Sequence, residues 1–268
     1  MNPLRSPMSP EMSCLIIHIP HASTHIPLRD GFLVDGARIE WELLTLTDWH
    51  TDDLFVDAAR DDHLVTAGFS RIFCDVERFA DDRLEVMAKF GMGVLYETTD
   101  DGEPMRNVTP KLRKEFLEHY YRPHHAKLEN AVEAELDRVG RAIIIDAHSF
   151  PDTPLKRDLD QRRPRPDFNI GTDPFHTPQE MVDASIRFFE ERGYSLGVDW
   201  PYKGTIVPSN YYGKDKRVKS IMLEVNRRLY LQDGTSGKSR RYGEITRVVR
   251  EFLEMIRLEA SRDNAIFG

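Results

Sequence analysis

Short apolar runs that end abruptly in charged or metal-binding side chains are the feature that most constrains this chain. Four such runs read as strands: CLIIHI from Cys14 to Ile19, SRIFCDV from Ser70 to Val76, AIIID from Ala142 to Asp146, and SIMLEV from Ser220 to Val225. Short strands near Leu64 and Tyr194 are expected to join them. Longer amphipathic stretches lie between, and that alternation predicts an α/β chain with a mainly parallel sheet flanked by helices. Nearly continuous apolar character fits strands buried on both faces.

Helix starts are clearer than helix ends. Asp48, followed by Asp52 and Asp53, is expected to cap a first turn whose apolar side is Leu54, Val56, Ala58 and Ala59. Thr109-Pro110 opens a helical stretch toward Arg138 that Pro123 should kink or split. Thr177-Pro178 opens another, and Tyr242 to Leu258 reads as a final amphipathic helix. The proline-rich segment from Pro151 to Pro166 is an exposed excursion that could cover a site.

No internal repeat or second core is visible, so residues 1–268 read as a single domain with residues 1–12 as a flexible N-terminus. The formal charge of −8 argues against a nucleic-acid partner and favours a small molecule. No apolar stretch reaches the roughly 20 residues of a membrane span, and the first residues lack the apolar core of a signal peptide, so a cytoplasmic protein is expected. The two cysteines, Cys14 and Cys74, are assigned to packing within strands. Trp41, Trp49 and Trp200 are assigned to the core or a pocket wall, and His124 and His125 to a helix surface.

In an open parallel sheet, ligands bind beyond the carboxyl ends of the strands, where residues distant in sequence meet. The first run leads into His21, the second into Glu77 and Arg78, the third into His148, and the fourth into Glu224. Two histidines and one carboxylate, with one open position, form a common catalytic zinc arrangement. The block TDWHTDD offers Asp48, His50, Asp52 and Asp53 for the carboxylate or a further ligand. Glu224 lies in an otherwise apolar strand, which makes it either a proton carrier beside such a metal or the partner of Arg227 or Arg228. Arg71 and Arg78 suit a substrate carboxylate or an oxyanion. Asn169, Gly171 and Thr172 in DFNIGT are candidates for the site lining.

The ordered blocks IPHAS, TDWHTDD, SRIFCDVERF, IIIDAHSF, DFNIGT, PYKGTIVPSNYYG and MLEVNRRLY resemble the N-formylglutamate amidohydrolase family over roughly Ile16 to Tyr230. The resemblance implies a zinc-exopeptidase-like three-layer sandwich with a central mixed, mainly parallel sheet and one catalytic zinc, other divalent metals being alternatives. It implies His21, Asp48 and His148 as metal ligands, Glu224 as acid/base, and Asp75 as a support. Arg71 and Arg78 would meet the substrate, Arg78 within the catalytic centre, with Asn169 and Gly204 in the substrate pocket. The substrate class would be a small N-acyl amino acid or short peptide. Two departures stand out: Glu77 replaces an asparagine of the family pattern and adds negative charge beside the carboxylate pocket, and Lys203 and Thr205 flank Gly204 in place of a more glycine-rich loop. A metallo-carboxypeptidase or another deacylase is the neighbouring reading. A non-catalytic small-molecule binder and an interaction module using the basic runs Lys214–Lys219 and Lys238–Arg241 are the others.

Overall fold

A computed structural model describes residues 13–262; the expectation of a flexible segment over residues 1–12 lies outside the described residues. Strands β1 (Leu15–Ile19), β2 (His63–Thr66), β3 (Ala142–Phe150), β4 (Phe168–Gly171), β5 (Leu196–Val198) and β6 (Val218–Asn226) form one sheet in the order β2-β1-β3-β6-β4-β5. The β2-β1-β3-β6 set is parallel, β4 pairs antiparallel with β6, and β5 runs parallel to β4. The sheet is mixed and mainly parallel, as expected.

Alternation along each strand separates two packing layers. Leu15, Ile17, Ile143, Ile145, Ile221 and Leu223 face a core shared with helices α5 (Gln179–Glu190) and α6 (Tyr242–Arg262), through Phe188, Phe189, Phe252 and Ile256. Ile16, Ile144 and Val218 point the other way, onto Leu128 and Val132 of α4 (Arg122–Val139). Burial on both faces is why β1, β3 and β6 read as unbroken apolar runs. The result is a three-layer α/β sandwich. Among the described residues, no helix is long and apolar enough to cross a membrane.

Several helix signals are found where the sequence puts them. The Thr109 side chain accepts from the Leu112 amide and starts α3 (Pro110–Phe116), and a π turn at Leu117–Tyr121 separates it from α4. Pro123 then falls at the second residue of α4, directly after the π turn, and the helical run continues through it. Helix α6 runs beyond Leu258 to Arg262. The helix α1 (Gly36–Leu46), capped by the Asp35 side chain, was not anticipated.

Three expectations are corrected. Ser70–Val76 is not a strand: the Phe73 and Cys74 amides donate to the Ser70 carbonyl, and the segment is a buried turn. Ile72 packs into one small core and Phe73 with Cys74 into another, so consecutive burial there reflects a turn wedged between two clusters. The helix expected from Asp48 is only the short α2 (Thr51–Leu54), preceded by His50 with φ 62°, and Asp48 does not cap it. Trp41 is 57% exposed on α1. His124 is buried, which agrees with its expected packing against a helix surface.

Candidate metal centre and active site

Parallel register sets the site. Strand β3 continues past Asp146 to Phe150, so Asp146 and His148, two residues apart, share the α4 side of the sheet. His148 stands opposite Glu224 on β6, and Glu224 stands opposite Asn169 on β4. One row lower, Asp146 stands opposite His18 on β1. Just beyond β1, the His21 carbonyl accepts from the Asp48 amide at 3.0 Å, which brings the two polar blocks together.

Both candidate histidines turn the same ring nitrogen toward one oxygen. His148 Nδ1 lies 3.0 Å and His21 Nδ1 3.6 Å from Asp48 Oδ2. Their opposite nitrogens are held by other carboxylates: His21 Nε2 lies 2.8 Å from Asp75 Oδ1, and His148 Nε2 lies 3.1 Å from Asp146 Oδ1. A carboxylate on Nε2 keeps the proton there and directs the Nδ1 lone pair inward. His21 Nδ1 is buried and has no hydrogen-bond partner. His21, Asp48 and His148, all buried, form a group whose ligand atoms lie within 4.8 Å of one another.

The carboxylates are fixed in turn. Asp48 Oδ1 accepts from Arg227 Nη2 at 2.9 Å. Asp75 Oδ2 accepts from Tyr96 at 2.7 Å and from Arg71 at 3.1 Å. Asp146 Oδ2 accepts from the Ile206 amide at 3.1 Å. Burial raises the pKa of Asp48, but the neighbouring His148, His21 and Arg227 outweigh it and hold the group well below the ordinary carboxylate value. For Asp75 burial is likewise outweighed, by His21, Arg71 and Arg78. His148 is held well above its usual value because Asp146 and Asp48 overcome the effect of burial.

Glu224 is the exception among these acids. Its Oε2 is buried without a hydrogen-bond partner, and burial pushes its pKa up to about 8. The alternative pairing with Arg227 or Arg228 is not made: Arg227 holds Asp48 and Ser149, and Arg228 holds Asp152 and Asp167.

Other predicted residues fall into distinct places. Arg71 is tied to Tyr96 and Asp75, with Nη1 3.9 Å from Asp48 Oδ1. Arg78 Nε lies 3.4 Å from Asp75 Oδ2 and has no hydrogen-bond partner. Both ends of the fully buried Asn169 amide engage backbone, Nδ2 donating to the Tyr202 carbonyl and Oδ1 accepting from the Trp200 amide. Asn169 thereby holds the 200–202 turn. Gly204, at φ 87°, places its carbonyl against Gly171. His50 turns away to the Ser236 carbonyl, Asp52 is exposed, and Asp53 accepts from Tyr242. Glu77 faces His18, with Oε1 3.1 Å from Nδ1, but that Oε1 makes no hydrogen bond. Sequence reasoning missed His18, His124, Tyr96 and Arg227; the period-two spacing of Asp146 and His148 was the available signal for a polar row on that face.

The mixed α/β sandwich gathers two histidines, an aspartate and a glutamate with an unpartnered oxygen near the carboxyl ends of its strands. The model of the N-formylglutamate amidohydrolase family matches residues 13–231, and the chain belongs to that family. It is 30% identical over 229 residues to an N-formylglutamate deformylase from Pseudomonas putida, covering 82% of each chain. A crystal structure of an N-formylglutamate amidohydrolase from Ralstonia eutropha JMP134 superposes with a TM-score of 0.79 at 26% identity, over 96% of both chains. A gene product of Agrobacterium tumefaciens shares the fold, with a TM-score of 0.66 at 16% identity over 94% of this chain and 92% of that one.

Proposed function

We propose that the chain is a single-domain zinc amidohydrolase acting on a small N-acyl amino acid of the N-formylglutamate kind, with His21, Asp48 and His148 holding the metal. The observation that carries this reading is the convergence of two histidine Nδ1 atoms on Asp48 Oδ2, one of them buried and unpartnered, with Glu224 opposite His148 in register. Two nitrogens and one carboxylate oxygen, each oriented by a further carboxylate or an arginine, suit zinc and also admit iron, cobalt or manganese. A zinc ion bound there supplies the Lewis acidity that acidifies water and polarises an amide carbonyl.

The protein's own groups supply the proton traffic. Glu224, buried and unpaired, accepts a proton from the attacking water and returns it to the nitrogen of the departing amine, so the products are a carboxylate and an amino acid. Arg78 Nε has no internal hydrogen bond and is the group assigned to a substrate carboxylate or the developing oxyanion. Arg71 works beside it while also bracing Asp75. Asn169 and Gly204 act through the 200–206 loop, which they shape at the pocket wall.

The test is hydrolysis by zinc-replete protein of a panel of N-formyl, N-acetyl and N-succinyl amino acids and short peptides. N-formylglutamate should be turned over with the highest kcat/KM. Preference for an N-acetyl, N-succinyl or peptide substrate supports the neighbouring deacylase or carboxypeptidase readings, and tight binding without turnover supports a non-catalytic binder.

A further inference from the structure

A second cluster lies one row below the first. Nδ1 of His18 faces two carboxylate oxygens at once, Asp146 Oδ1 at 2.9 Å and Glu77 Oε1 at 3.1 Å. His18 and Asp146 are fully buried, while 18% of the Glu77 side chain is exposed and leaves an approach from solvent. A single N–H directs its hydrogen at one acceptor. Asp146 takes that bond, and Glu77 Oε1 is left buried with no hydrogen-bond partner. Two carboxylates sharing one proton donor are costly to hold together in a dry setting. The three ligand atoms lie within 4.8 Å of one another, the separation found for the first group.

The surrounding groups orient each donor. His18 Nε2 lies 2.8 Å from Nε2 of His124, which is itself buried. With an Nε2–H donated to His124, a cation at Nδ1 of His18 takes the place of the proton directed at Asp146. Asp146 Oδ2 is fixed by the Ile206 amide, and its Oδ1 also receives His148 Nε2.

We infer that His18, Glu77 and Asp146 form a second cation site, for a divalent transition metal, adjoining the first through Asp146. One imidazole nitrogen and two carboxylate oxygens match zinc, manganese or ferrous iron. A cation there joins β1, β3 and the turn carrying Glu77, and holds Asp146 against His148. The inference does not rest on the proposed reaction, because the donor set is separate from His21 and Asp48.

The test counts metal on the full chain. Chelator-stripped protein is loaded with zinc or, separately, manganese, desalted and analysed by elemental mass spectrometry, with calorimetric titration alongside. Two equivalents are expected in the wild type, and one in each of His18→Asn, Glu77→Gln and His21→Asn. Circular dichroism checks the fold, and Glu77→Gln, at a partly exposed position, reports even if His18→Asn misfolds. A single equivalent lost in His21→Asn but kept in His18→Asn and Glu77→Gln overturns the second site and leaves the proposed function standing. A single equivalent lost in Glu77→Gln and kept in His21→Asn upholds the second site and overturns the first. A wild type that takes up no metal overturns both.

Discussion

His148 Nδ1 lies 3.0 Å from Asp48 Oδ2, so the position a metal would take between them is one a proton also fills. Metal and proton therefore compete: binding requires the neutral imidazole and releases the proton that Asp146 and Asp48 hold on it. Because the His148 pKa is raised, zinc affinity should climb as pH rises above neutrality and weaken as pH falls. Chelation should abolish turnover and re-addition of zinc restore it, while His21→Ala and His148→Ala should each lose zinc and activity together. Activity that persists in stripped protein would sink the metal reading.

Glu224→Gln separates proton transfer from metal binding. The amide keeps the shape and cannot carry the proton, so kcat should drop by about two to four orders of magnitude with zinc content unchanged. The stability consequence has a defined sign. The folded pKa of Glu224 is raised to about 8 from its ordinary 4.5, so in metal-free protein its contribution is present below pH 4.5 and is lost as pH rises toward 8. Metal-free Glu224→Gln should therefore resist urea better than the wild type at pH 8, and the gap should close near pH 4.5. Equal turnover in the two proteins would remove Glu224 from the mechanism.

The two arginines should fail differently. Arg78 has no hydrogen bond at Nε and only longer ion-pair contacts, 3.4 Å to Asp75 and 3.7 Å to Glu85, whereas Arg71 is hydrogen-bonded to Tyr96 and Asp75, and Asp75 holds the His21 ring. Lysine cannot reproduce a bidentate guanidinium contact. Arg78→Lys should raise KM for N-formylglutamate by about 10- to 100-fold, the loss of a charged hydrogen bond of about 1.5–3 kcal/mol, with a smaller change in kcat. Arg71→Lys should in addition weaken zinc binding by about 10- to 100-fold through Asp75. Steady-state kinetics paired with zinc titration distinguishes them, and N-formylglutamine should discriminate less between wild type and Arg78→Lys than N-formylglutamate does.

Much of this was legible in the sequence because β1, β3 and β6 are buried on both faces and leave continuous apolar runs that end in chemistry. The same signal misled at Ser70–Val76, where consecutive burial comes from two small clusters gripping a turn. His21, His148 and Glu224 stood out as polar residues at run ends. His18 did not, because its partners Asp146 and His124 lie 128 and 106 residues away and are brought to it by sheet register and by the packing of α4 on the sheet, respectively. Asp48 carried the ordinary sign of a helix cap, and its approach to both histidines depends on the His21 carbonyl catching its amide. DFNIGT suggested an accessible lining, but the strand β4 places Asn169 beside Glu224 with its amide already engaged.

The loop over the site is set by a contact that only glycine permits. A Cβ on Gly171 would sit 2.1 Å from the Gly204 carbonyl oxygen and 2.5 Å from Met222 Cε. Met222 is flexible and can retreat, but the Gly204 oxygen is backbone, and moving it shifts the segment whose Ile206 amide donates to Asp146. Gly171→Ala should therefore cost about 1–3 kcal/mol, as overpacking does, and lower kcat/KM through a displaced Asp146 and His148. Gly204→Ala meets nothing within 4 Å, so its cost comes from φ 87° alone, about 1–2 kcal/mol. Urea denaturation and kinetics on both variants check the distinction. Unchanged kcat/KM in a destabilised Gly171→Ala would show that the loop does not govern Asp146.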